Sequence, residues 1–124
     1  MSKYSEIESR LKDKLEKEIL IVVQLQVLGT KFAEYLGCGT SCVTITDLGF
    51  RDGIFNFNLE VSFDVSIPPR EPEHIRIIRS LSGEYITDKI PLLFKGEEFP
   101  LPFDNDDLNK LFKMLAVEFS KVYQ

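Results

Sequence analysis

Residues 55–67 read Phe-Asn-Phe-Asn-Leu-Glu-Val-Ser-Phe-Asp-Val-Ser-Ile, apolar at every odd position and polar at every even one. That is the pattern of a strand with one buried face and one wet face, because successive side chains of a strand point to opposite sides. At about 3.3 Å per residue the run is about 43 Å long, against a usual strand of about 5 to 6 residues. A strand of that length bends, bulges or reaches past the core it helps to build.

Just upstream, Val43-Thr44-Ile45-Thr46 alternates in the same sense, and Asp52-Gly53 is a step favoured by tight hairpins. The two runs are expected to pair. A three-residue loop over 51–53 sets Ile45 opposite Leu59, Val43 opposite Val61, Thr46 opposite Asn58 and Thr44 opposite Glu60, whereas a two-residue loop sets Ile45 against Glu60. A slip of one residue carries the apolar set to the wrong face. The three-residue loop is therefore expected, with Gly53 at positive φ and Gly49 beneath the Phe55 ring.

Helices frame this hairpin. Residues 3–18 are rich in Lys, Glu and Leu, with Tyr4, Ile7, Leu11 and Leu15 at helical spacing and Ser2 or Ser5 available as a cap. Residues 19–28 are apolar nearly all round, although 23–27 alternate as a strand does. With no turn signal to divide them from the preceding residues, they are read as the same helix, allowed a kink at Gly29-Thr30 and ended at Gly37. The last helix is marked by Leu108, Leu111, Phe112, Leu115, Phe119 and Val122, with Asp104 or Asn105 as its cap.

Between hairpin and last helix the signals are mixed. Pro68-Pro69 ends the long strand, and Glu71-Pro72-Glu73 followed by Ile75, Ile78 and Leu81 predicts a short helix over 72–82, with a strand as second choice for so Ile-rich a segment. Residues 85–94 read as a third strand, at an edge because of Pro91, and 99–103, Phe-Pro-Leu-Pro-Phe, as an extended apolar connector. No repeat or linker divides the chain. The expectation is one α+β domain over 1–124, an antiparallel sheet of three or more strands covered on one face by long N- and C-terminal helices.

Composition narrows the function classes. The chain of 124 residues carries a formal charge of −5, and no segment is strongly basic: the negative surplus sits in 37–67 and 96–124, at −3 each. Nucleic-acid binding by counterion release needs clustered Lys and Arg, so no nucleic-acid partner is expected. The apolar run at 19–23 is soon broken by Gln24 and Gln26. Neither a signal peptide nor a membrane span is expected, and the cytoplasm is the default compartment. Ten Phe and no Trp point to a core built around phenylalanine.

Few residues suggest chemistry. Cys38 and Cys42, four positions apart in a glycine-containing turn, suit a disulfide or a shared metal, yet their spacing differs from the usual redox pair and a structural zinc site needs four ligands, for which the chain adds only His74. His74 is the single histidine and lies beside Glu71 and Glu73, where a solvated role outweighs a catalytic base. Asp104, Asp106 and Asp107 lack the glycine and final glutamate of a calcium loop. No cofactor is expected.

What remains is surface. The over-long strand, the apolar helix segment and the Pro-Phe connector are more sticky area than one such core needs, which points to a small non-enzymatic interaction protein (adaptor, chaperone-like binder or inhibitor) acting as a homodimer or on another protein. Val23, Phe63, Phe99 and Phe103 are the candidate contacts. The alternative is a carrier of a small apolar ligand in a Phe-lined cavity between helices and curved sheet. An enzyme ranks third.

Overall fold

A computed structural model describes residues 2–123, apart from the side chain of Thr40. It contains a long helix, five strands and a second helix: α1 (Lys3–Leu36), β1 (Val43–Arg51), β2 (Ile54–Val65), β3 (Glu73–Glu84), β4 (Ile90–Phe94), β5 (Glu97–Leu101) and α2 (Asn105–Phe119). The strands form one antiparallel meander in the order β1-β2-β3-β4-β5. This is the expected α+β class.

Helix α1 runs unbroken through residues 19–28, as the missing turn signal implied. Ser2 caps it by accepting from the Ser5 amide at 3.1 Å, and Gly37 closes it in the left-handed conformation, followed by a single 3-10 turn at Thr40–Cys42. Only its second half packs. Ile21, Leu25, Leu28, Phe32 and Ala33 are buried against the sheet, whereas residues 2–16 are exposed throughout.

The hairpin register is the one argued from faces: Val43 pairs with Val61, Ile45 with Leu59 and Thr46 with Asn58. The loop is not. Asp52 and Gly53, at φ 52° and 76°, form a two-residue turn that sets Arg51 opposite Ile54, and a bulge between Thr46 and Gly49, with Asp47 at φ 53°, takes up the odd residue. The bulge restores the apolar face that the shorter loop alone would lose. Phe50, rather than Gly49, lies opposite Phe55, and the glycine under that ring is Gly83 of β3.

In place of the expected helix over 72–82 the chain forms a strand, β3, Glu73–Glu84. Pairing along β2 puts Ile75 opposite Phe63, Ile77 opposite Val61, Arg79 opposite Leu59 and Leu81 opposite Phe57, so these side chains share the core-side face. Ile78 falls on the outer face, and there the strand's own alternation was disguised as a spacing of three. The expected strand over 85–94 is a turn followed by β4. Residues 99–101 of the expected connector form the end of β5, Glu97–Leu101, an edge strand that tolerates Pro100. Pro91 is no edge marker, because β4 has neighbours on both sides, but its pairing to β3 is confined to Leu92 and Leu93.

The core lies between the sheet and the two helices. Phe55, Phe57, Leu59 and Val61 of β2 meet Leu92, Phe99, Leu25, Leu28 and Phe32, and α2 adds Leu108, Leu111, Phe112, Leu115 and Phe119. Asp104 caps α2, its carboxylate accepting from the Asp107 amide at 2.7 Å. The helix stops at Phe119, so Val122 is exposed rather than part of the buried stripe.

One polar cluster pins the end of α2. Glu118 accepts from Lys95 Nζ at 2.9 Å and Lys121 Nζ at 3.2 Å, with Arg79 Nε at 3.5 Å and the Arg79 guanidinium over the Phe119 ring. The hydrogen bond from Lys95, and after it that from Lys121, holds the Glu118 carboxyl below its ordinary value of 4.5. A depressed carboxylate contributes stability above its unfolded pKa and loses it as pH falls through the folded one. Glu118→Gln is thus expected to unfold earlier in urea than the wild type at neutral pH. The gap should begin to narrow as pH falls below the ordinary carboxylate value and close once the Glu118 carboxyl of the folded protein is protonated.

Candidate interaction surfaces

Two ends of the molecule carry apolar side chains that the core does not use. At one end α1 overhangs the sheet. At about 1.5 Å per residue a helix of this length is about 50 Å long, against about 40 Å for the longest strands, and the first buried residue is Ile21. The overhang presents Tyr4, Ile7, Leu11, Leu15 and Ile19 on one stripe, all more than half exposed. Its opposite flank carries ion pairs within the helix, Asp13–Lys17 at 3.1 Å and Lys14–Glu18 at 2.9 Å, and Glu18 also accepts from the Tyr85 hydroxyl at 3.5 Å.

At the other end β2 and β3 continue together past the core. Phe63, Val65 and Ile75 extend the face that Val61 and Leu59 bury further along but stay in solvent, while Ile77 between them and the core is partly buried against it. With Leu36, Phe119 and Val122 at its base this shelf encloses about 720 Å³ and opens to solvent. Phe63, Val65 and Ile75 are each about 40% exposed, and Ile67 beyond them is more so.

The candidate contact residues divide accordingly. Val23 is half exposed on α1, and Phe63 lies on the shelf. Phe99 is 1% exposed, a core residue of β5, and Phe103 is partly buried with its amide donating to Gln24 Oε1 at 3.0 Å. The connector is therefore folded into the core and not displayed. Ile75 and Ile77 went unnoticed because the helix reading dispersed them. The α1 overhang was legible as a helix, and only its length against the sheet reveals that its first turns have nothing to pack on.

The structure joins Cys38 and Cys42 as a disulfide across the 3-10 turn, with their Cα atoms 6.3 Å apart. His74 stands away from them on β3, its Nδ1 2.9 Å from Asp64 Oδ1 in an exposed pair. Among the described residues no group of three His, Cys, Asp or Glu side chains converges on one point. The disulfide closes a very short loop, for which chain-entropy arguments give about 2 kcal/mol. Replacing both cysteines with serine is expected to lower stability by no more than about that amount, and thermal unfolding should still show one cooperative transition.

By length and composition alone, α1 contains an 18-residue stretch apolar enough to cross a membrane, with mean hydropathy 1.4, a third of it buried within the fold. No family model, curated protein or solved structure matches the chain.

Proposed function

We propose that this chain is a small non-enzymatic protein-interaction module that works as a homodimer. One observation carries the reading: apolar side chains stand exposed at both ends of a molecule whose own core is complete. The 22 buried apolar residues leave no buried polar or charged residue among those described, so neither the α1 stripe nor the hairpin shelf is needed to finish the fold. Exposed apolar area of this extent on a small domain marks a contact with another macromolecule. The acidic balance argues against nucleic acid as that partner.

The carrier reading is second. Its support is the shelf, which has the volume of a small-molecule site. Against it, the shelf opens to solvent, and the fully buried phenylalanines Phe32, Phe55, Phe57 and Phe99 belong to one packed core cluster instead of lining a cavity. The compartment in this reading is the cytoplasm, where thiols are kept reduced, and the fold then has to hold without the Cys38–Cys42 bond.

Native mass spectrometry of the purified protein separates the two readings. The interaction module is expected as a pair of 14.3 kDa chains with nothing else retained. A monomer carrying a bound apolar molecule would overturn it in favour of the carrier.

A further inference from the structure

We infer that the overhang of α1 is the dimer contact, and that it pairs antiparallel with the same segment of a second copy about a twofold axis at Leu11. The inference rests on the homodimer reading and adds the surface, the direction and the register.

The stripe is nearly symmetric about its centre. Ile7 and Leu15 stand four residues to either side of Leu11, and Tyr4 and Ile19 seven and eight. An antiparallel pair centred there sets Leu11 on Leu11, Ile7 on Leu15 and Tyr4 near Ile19 of the second chain, the isologous pattern that twofold symmetry requires. The spacing averages nearly four residues and so fits an 11-residue repeat better than a heptad. Two almost straight helices therefore keep their stripes in contact.

Charge fits the same register. Lys3, Asp13, Lys14 and Lys17 are each in an ion pair within the helix. Glu8 and Lys12, which border the stripe, have no ion-pair partner among the described residues. In the antiparallel pair Lys12 lies one residue beyond the axis and Glu8 of the second chain three residues beyond it on the same side. The stagger is about 3 Å along the helix, within reach of both side chains, and symmetry makes the pair twice.

Geometry and cost also agree. Each chain's own body reaches alongside residues 9–17, but on the other side of the helix, where Ser9, Arg10, Asp13 and Lys17 line a cleft with Asp52, Gly53, Tyr85 and Ile86, which leaves the stripe clear for a second helix. The helix is already nucleated by its packed second half, and pairing therefore carries none of the nucleation cost that short isolated helices bear. A lipid surface suits the stripe less well. Helices that lie in the membrane interface carry Lys and Arg across the polar face, whereas this one alternates sign, and residues 1–36 sum to zero charge.

The test is symmetric cross-linking in a Cys38→Ser, Cys42→Ser background, with sedimentation of each variant before oxidation. Leu11→Cys is expected to oxidise to a covalent dimer in high yield, and Ser9→Cys, exposed on the far side of the helix, to give little. Leu11→Glu, which sets two carboxylates against each other at the axis, is expected to raise the dimer Kd by about tenfold or more. Should the chain sediment as a dimer while Leu11→Cys fails to link, and a mixture of Leu11→Cys and Phe63→Cys chains links instead, the helix is seated on the shelf and the inference is overturned while the dimer stands. A chain that sediments as a monomer overturns both. Recruitment of the monomer to anionic vesicles would make the stripe a lipid contact.

Discussion

Phe32→Ala is expected to lower the unfolding free energy by about 3–5 kcal/mol, the largest single loss available in this fold. Phe32 is completely buried on the second half of α1, and its ring centroid lies 5.3 Å from that of Phe112 and 5.9 Å from that of Phe119. It therefore joins α1 to α2 within the core, beside Tyr35, whose ring centroid lies 5.5 Å from that of Phe112. Truncation removes the transfer energy of the ring and leaves a void that two helices anchored at several other points cannot collapse to fill. Against a total stability of about 5–15 kcal/mol, a loss of that size brings the variant close to unfolding at physiological temperature. Urea unfolding should show the midpoint falling with the slope unchanged. A shift worth less than about 1 kcal/mol would mean that α2 is not packed on α1 as described.

The second large effect is expected at Gly83. It lies opposite Phe55 in the β2–β3 ladder, and a Cβ there would overlap both the Phe55 ring and the carbonyl oxygen of Pro91. The ring has no room to swing aside, because Phe55 is fully buried and stacks beside Phe57 with centroids 6.4 Å apart. Backbone at Pro91 has no such freedom. Gly83→Val is expected to cost about 3 kcal/mol, at the upper end of overpacking penalties. Adding Phe55→Leu should return part of the loss, seen as a coupling energy in a double-mutant cycle. Strict additivity of the two substitutions would show that the ring does not cover Gly83.

What could be read from residues alone follows the strength of the periodic signal. The α1 and α2 helices and the β1–β2 register were legible because each has a long apolar face whose displacement by one residue is costly. Turn chemistry was less so: Asp52-Gly53 marks a turn, but nothing nearby announces the bulge at Asp47 that lets a two-residue loop keep the register. The β3 segment misleads for a physical reason. Its core-side face, Ile75, Ile77, Arg79, Leu81 and Gly83, contains an arginine and a glycine, and its outer face contains Ile78, so the alternation is broken on both sides at once. Arg79 belongs on that face only because Glu118 and the Phe119 ring lie above it, a tertiary circumstance. Phe99 looked like a displayed connector residue because two prolines flank Leu101, yet an edge strand accepts such prolines and buries the alternate side chains.

The candidate surfaces were half legible for the same reason. Phe63 stands on the strand that outruns the core, as the length of the alternating run implied. The α1 stripe looked like an ordinary core face, and its exposure emerges only when the helix is laid beside a sheet too short for it.

Sedimentation equilibrium of the wild-type chain across about 1–100 μM, the range of moderate protein affinities, beside a Leu11→Glu, Phe63→Asp double variant, tests the interaction-module account most directly. The account predicts a wild-type mass of two 14.3 kDa chains. It predicts a double variant that sediments as one chain and still unfolds cooperatively, with a loss of about 1–2 kcal/mol because the Phe63 ring is more than half buried. A wild-type chain that remains a single copy throughout that range would contradict it.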